Sequence, residues 1–154
     1  MCEDGESGAL KQKRVRVGVI GVGHLGEYHV QKYTALPEAD LTRMEDSDTA
    51  RADLIAGRYG TTAYRDHHDL LPQVDAVSLA VPTEKHYEVA KDVLSAGVHL
   101  LVEKPITYLL EPADTLIRMA RSKGLVLQVG LVERFNPAVV EMETLLTCPV
   151  FIES

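Results

Sequence analysis

The chain has 154 residues, 45% of them hydrophobic and 25% charged, which suffices for one globular domain with a real core and leaves too little for a second full one. A formal charge of -7, with basic residues clustered only at Lys11, Lys13, Arg14 and Arg16, argues against a nucleic-acid partner. No stretch is long and apolar enough to span a membrane, and the polar start MCEDGESGALKQKR lacks the apolar centre of a secretory signal. Cys2 and Cys148 alone support neither a disulfide framework nor a metal site, so the expectation is a cytoplasmic protein with reduced thiols and no metal.

Residues 1–14 offer little to bury and are expected to form a disordered tail. From VRVGVIG onward, short apolar runs alternate with longer amphipathic stretches, the pattern of βα units that build a parallel sheet. Strands are predicted near 15–20, 40–45, 62–64, 75–80, 98–102 and 125–129. The first helix is predicted over 24–36, with Leu25, Tyr28, His29 and Leu36 toward the sheet and Pro37 beyond its end. A second covers 49–59 and stops at Gly60. Thr83 is read as the cap of a third, which carries Val89, Ala90, Val93 and Leu94 on one side and ends at Gly97. A fourth starts at Pro112 and finishes before Gly124, and the last starts at Asn136 and Pro137. In CPVFIES, Val150, Phe151 and Ile152 begin another strand, which needs a partner for its backbone and its apolar side chains. The fold class is therefore α/β, a doubly wound parallel sheet of six main strands over residues 15–148.

Gly21, Gly23 and Gly26 stand in G-x-G-x-x-G spacing, directly after the first strand and at the opening of a helix. In that spacing the first glycine permits a tight turn, the second lets a pyrophosphate approach the backbone, and the third lets helix and strand pack closely. Amides at the helix start, beginning with His24 and Leu25, then face the anion. Similar strings occur in methyltransferases and in chance turns. Asp46 adds context, for it follows Gly26 by about twenty residues at a strand end, where an acid accepts hydrogen bonds from ribose hydroxyls. A carboxylate there repels the extra phosphate of NADP and favours NAD, while Arg43 and Arg51 keep NADP open. The alternative for Asp46 is a helix cap, because EDSDT is rich in capping residues.

Ligands of a doubly wound sheet sit outside the carboxyl ends of its strands, which directs attention to AVPTEKH, VEKP and VGLVERFNP. Together with VGVIGVGHLGEYH, the segments VPTEKHYEVAKDVLSAGVHLLVEKPIT and LQVGLVERFNPAV resemble the N-terminal domain of the glucose-fructose oxidoreductase and inositol dehydrogenase family, Gfo/Idh/MocA. The likeness runs from Val15 to the end. ERFNPAV and FIES are most similar to the branch acting on nucleotide sugars, of the UDP-N-acetylglucosamine 3-dehydrogenase type.

The resemblance implies hydride transfer between a sugar or polyol carbon and a nicotinamide, with NAD as cofactor and NADP possible. The family's EKP lysine falls on Lys104 and takes part in proton transfer, a task suited to a desolvated amine. Glu103 would position that lysine or the nicotinamide ribose, and Pro105 would fix the turn; the alternative is a solvated pair of loop charges. Ala80, Val81, Pro82 and Thr83 match the segment beside the cofactor. His86 matches a family histidine, or is a half-exposed helical one. Arg134 matches an arginine near the cofactor, or pairs with Glu133.

Two departures stand out. Thr42 and Arg43 in LTRMED interrupt a strand that is usually apolar, which would weaken it or mark an exposed edge, and Leu131 replaces a frequent histidine. His67 and His68 are read as loop residues without a metal. Family members continue into a second α/β domain that recognises the sugar or nucleotide-sugar substrate; residues 149–154 would begin it and the rest is absent. Cofactor binding with negligible turnover follows as the expectation. The rival reading is a non-catalytic NAD-binding or redox-sensing module that engages a protein partner. An uncovered sheet edge would favour a homo-oligomer.

Overall fold

A computed structural model describes residues 13–145. Residues 1–12 of the tail expected at 1–14, the strand expected at 150–152 and both cysteines lie outside the described residues, while Arg14 is already tied to the sheet through a bond from Nη2 to Ala39 O. Six strands form one parallel sheet: β1 (Val15–Ile20), β2 (Ala39–Glu45), β3 (Thr62–Tyr64), β4 (Ala76–Leu79), β5 (His99–Glu103) and β6 (Leu127–Gly130). Their spatial order is β3-β2-β1-β4-β5-β6, and every neighbouring pair is parallel. The direction of winding reverses between β1 and β4, which opens a crevice outside their carboxyl ends.

The helices are α1 (His24–Ala35), α2 (Thr49–Tyr59), α3 (His67–Leu70), α4 (Thr83–Ser95), α5 (Leu110–Ser122) and α6 (Pro137–Leu145). Two apolar clusters give the sheet a packed face on each side. One joins Val19 and Met44 to Val30 of α1 and Ile55 of α2; the other joins Leu79 and Leu100 to Val93 of α4 and Leu116 of α5. Glycine 60 closes α2 at φ 65°, in the left-handed region that a residue with a Cβ rarely enters.

Several expectations are corrected. Helix α1 buries Gly26 and Val30, with Tyr33 packed beside them, whereas Leu25, Tyr28 and Leu36 are about half exposed. The buried stripe follows i, i+4, i+7 from Gly26, whose contact with the glycine turn fixes the rotation of the helix. Thr83 is the first residue of α4 and caps nothing; Pro82 precedes it and no side chain caps that helix. Helix α5 begins at Leu110, two residues ahead of Pro112. His67 and His68 belong to the short α3, anchored by buried Leu70 and by Leu71 in the following 3-10 turn.

Strand β2 is neither weakened nor an outer edge, since it pairs with β1 along its length and with β3 at Arg43–Glu45. Its register shifts between Val17↔Leu41 and Gly18↔Arg43, so Thr42 is an extra residue in a bulge. The neighbouring Arg43 lays its guanidinium over the Tyr64 ring, 5.8 Å from the centroid, and donates from Nη1 to the Thr42 carbonyl at 2.7 Å. The two polar residues are absorbed by a bulge and a ring rather than by solvent.

Candidate dinucleotide site

The strand register aligns the relevant residues along one rim. Ile20 pairs with Glu45 and with Leu79, Leu79 pairs with Val102, and Glu103 pairs with Gly130. The chain leaves β1 through Gly21, whose amide donates to Glu45 O at 2.8 Å, while the Ala80 amide donates to Ile20 O at 2.9 Å. Gly21 has φ 83°, and a Cβ there would lie 2.7 Å from Ala80 O. A Cβ on Gly26 would lie 1.8 Å from Gly21 O, so helix and turn touch with no room for a side chain. Gly23 differs: a Cβ would meet only Arg51 Nη1, at 3.7 Å. Its outer face is open, and no side chain caps the helix that follows. Bare backbone and free amides form the kind of cradle a pyrophosphate occupies.

A cleft of about 580 Å³ lies over this turn. Its walls include Gly21, Gly23, His24, Leu25 and Asp46 on one side and Ala80, Val81 and Pro82 on the other. Asp46 is 7% exposed, and its two oxygens accept from Val22 N–H and Asp48 N–H, each at 2.8 Å. It does not cap α2. That part falls to Asp48, whose carboxylate accepts from Arg51 N–H at 3.1 Å. Each Asp46 oxygen keeps a further lone pair for a hydroxyl. Glu45 also lines the cleft, and burial pushes its carboxyl above its ordinary value, with His67 acting against that shift.

Thr83, His86, Glu103, Lys104 and Arg134 are not part of that wall. His86 is fully buried beneath it rather than half exposed, with Nε2 2.9 Å from Val81 O and Nδ1 2.8 Å from Pro105 O. It ties the end of β4 to the turn after β5. Glu103 is 7% exposed, Lys104 and Pro105 are exposed, and the Lys104–Pro105 peptide is cis. Arg134 is exposed on a 3-10 turn; among the described residues, Glu133 accepts from Asn136 Nδ2 at 2.9 Å and forms no ion pair with Arg134.

Three residues absent from the sequence reading of the site surround Glu103. His29 Nε2 lies 2.8 Å from Glu103 Oε1, Ser78 Oγ lies 2.6 Å from His29 Nδ1, and a Cβ on Gly130 would come within 2.8 Å of the Glu103 carboxylate. Sequence gave one signal, a polar Ser78 inside the apolar run of β4. Asp66, His67 and His68 bring ligand atoms within 4.8 Å of one another. Their groups are already hydrogen-bonded, His68 Nδ1 to Asp66 at 2.8 Å and His67 Nε2 to Asp92 at 3.1 Å.

Comparison with known proteins decides the family: residues 15–131 match the oxidoreductase family with an NAD-binding Rossmann fold. The chain belongs to the Gfo/Idh/MocA family. Among its curated relatives, UDP-N-acetylglucosamine 3-dehydrogenase of Acidithiobacillus ferrooxidans is 45% identical over 125 residues, 81% of this chain and 39% of that protein. A solved structure of that enzyme superposes with a TM-score of 0.81 at 42% identity, covering 86% of this chain and 43% of its own. The scyllo-inositol 2-dehydrogenase (NAD(+)) of Bacillus subtilis is 33% identical over 131 residues, 82% of this chain and 38% of that protein. GenD2 from gentamicin A biosynthesis, solved in complex with NAD, superposes with a TM-score of 0.85 at 31% identity, covering 88% of this chain and 39% of its own. The chain thus spans 38–43% of the length of these relatives.

Proposed function

We propose that the chain is the cofactor-binding part of an NAD-dependent dehydrogenase acting on a sugar or nucleotide-sugar hydroxyl. The observation that carries this reading is the common rim, on which the three-glycine turn, Asp46 and the Glu103–Lys104 turn follow one another in strand register. Gly23 and the first amides of α1 hold the pyrophosphate, and Asp46 accepts from the adenosine ribose on the β2 side. The other half of the dinucleotide then extends over β4 and β5, toward Glu103. When bound, the cofactor supplies a hydride acceptor. Lys104 Nζ, exposed at the end of β5, exchanges the proton of the substrate hydroxyl. The relatives named as sugar-type dehydrogenases support this substrate class.

Fluorescence titration of the 154-residue chain with NADH and NADPH tests the reading. NADH is expected to bind about tenfold more tightly than NADPH, because Asp46 and Glu45 bring two carboxylates to the ribose end of the cleft and the Arg51 guanidinium in the same wall is already paired with Asp48 at 3.3 Å. Gly23→Leu removes binding by filling the open face of the turn, and Lys104→Ala leaves affinity within about threefold, since its part lies in chemistry rather than in holding the dinucleotide. Absence of binding to both nucleotides, or retention of binding by Gly23→Leu, refutes the assignment.

A further inference from the structure

We propose that His29 is a positioning residue that, held by Ser78, fixes the Glu103 carboxylate and with it the turn after β5, beyond the cleft wall, toward which the nicotinamide half extends. The inference rests on the dinucleotide reading above. A carboxylate only accepts, so the 2.8 Å contact assigns the hydrogen to His29 Nε2 and leaves Nδ1 to accept the Ser78 hydroxyl at 2.6 Å. A single neutral tautomer satisfies the whole chain. Ser78 is fully buried and Glu103 is 7% exposed, so water competes little for these bonds and no substrate reaches the Ser78 oxygen.

The same carboxylate is confined from its other sides. Lys104 N–H approaches Oε2 at 3.4 Å, and the carboxylate fills the space that a side chain on Gly130 would take. His29 lies one turn beyond Gly26 on α1, the helix that opens the pyrophosphate cradle. One rigid helix therefore sets two things: its first turn receives the phosphates, and its second locks the residue before Lys104. A displaced Glu103 would leave the adenosine half of the cleft intact and misplace the nicotinamide half.

The test compares NADH with ADP, which carries the adenosine and both phosphates without the second ribose or the nicotinamide, by calorimetry on the 154-residue chain. His29→Leu is expected to weaken NADH about tenfold, the worth of one hydrogen bond to a charged group, with ADP unchanged within about twofold. His29→Gln, whose amide can still donate to Glu103, restores most of the loss. Gly130→Ala, which pushes on the same carboxylate from the opposite side, reproduces the NADH-selective loss and decides the matter should His29→Leu fail to fold. Equal losses for both ligands, or no loss for NADH, overturn the proposal. A wild-type chain that binds neither ligand refutes the dinucleotide reading itself, a result distinct from either.

Discussion

Glycines 23 and 26 stand three residues apart in the same turn, yet the structure gives their side-chain hydrogens opposite surroundings. Gly23 has φ -65° and ψ -163°, a conformation open to any residue, and free space where a Cβ would project. Substitution there fills open space over the turn without straining the fold. At Gly26 a Cβ would sit 1.8 Å from a carbonyl oxygen, so Gly26→Ala must separate helix from strand and is expected to cost about 3 kcal/mol or more, read as a shift in the thermal or urea midpoint. His86 is a second residue whose role is mechanical. His86→Leu removes the ring packed between the carbonyls of Val81 and Pro105, one of which accepts its N–H, and is expected to cost about 1–3 kcal/mol by urea unfolding. The glycine turn was legible in the sequence because its spacing is local, and Asp46 was singled out by its distance from that turn, although its bond to Val22 N–H spans 24 residues. His29 and Ser78 were not, because their partners lie 74 and 49 residues away along the chain and only the assembled sheet brings them together.

At the scale of elements, the apolar runs marked every strand, and the glycine after each of α2, α4 and α5 marked where the helix stops. What the pattern misjudged was rotation and pairing. The stripe chosen for α1 follows its largest apolar residues, but the helix turns Gly26 inward, because contact with Gly21 is closer than any side chain permits. At the opposite rim of the sheet, Arg16 fastens β1 to the segment before β4. Asp75 accepts from Arg16 N–H at 3.0 Å, from Nε at 3.1 Å and from Nη2 at 2.6 Å. These bonds hold the Asp75 carboxyl well below its ordinary value near 3.8, and a lowered acid stabilises the fold above that value and ceases to do so as pH falls through its folded value. Asp75→Asn is therefore expected to be less stable than wild type at neutral pH, with the two unfolding midpoints converging as the solution is acidified below that range. A gap that persists unchanged into strong acid would assign the effect to packing.

For the molecule as a whole, the alternation of strands and helices fixed the class, whereas the order β3-β2-β1-β4-β5-β6 follows from pairing that no local segment encodes. That order matters more than any one residue, because it sets the end of β1 beside the end of β4 and one further strand from Glu103. On the proposed reading the described residues offer one wall of a site, and catalysis would require substrate to be fixed against the nicotinamide from another direction. The chain assayed alone with nucleotide sugars is expected to bind NAD and show negligible reduction of it; sustained turnover would contradict the need for a second wall to fix the substrate. An amide-resolved NMR titration with NAD tests the shared rim itself. The account predicts that Gly21, Gly23, His24, Asp46, Ala80, Val81, Glu103 and Lys104 shift together with one dissociation constant, while Arg16 and Asp75 at the opposite rim stay still. Shifts confined to the glycine turn, with Glu103 and Lys104 silent, or centred on Arg16 and Asp75, would contradict it.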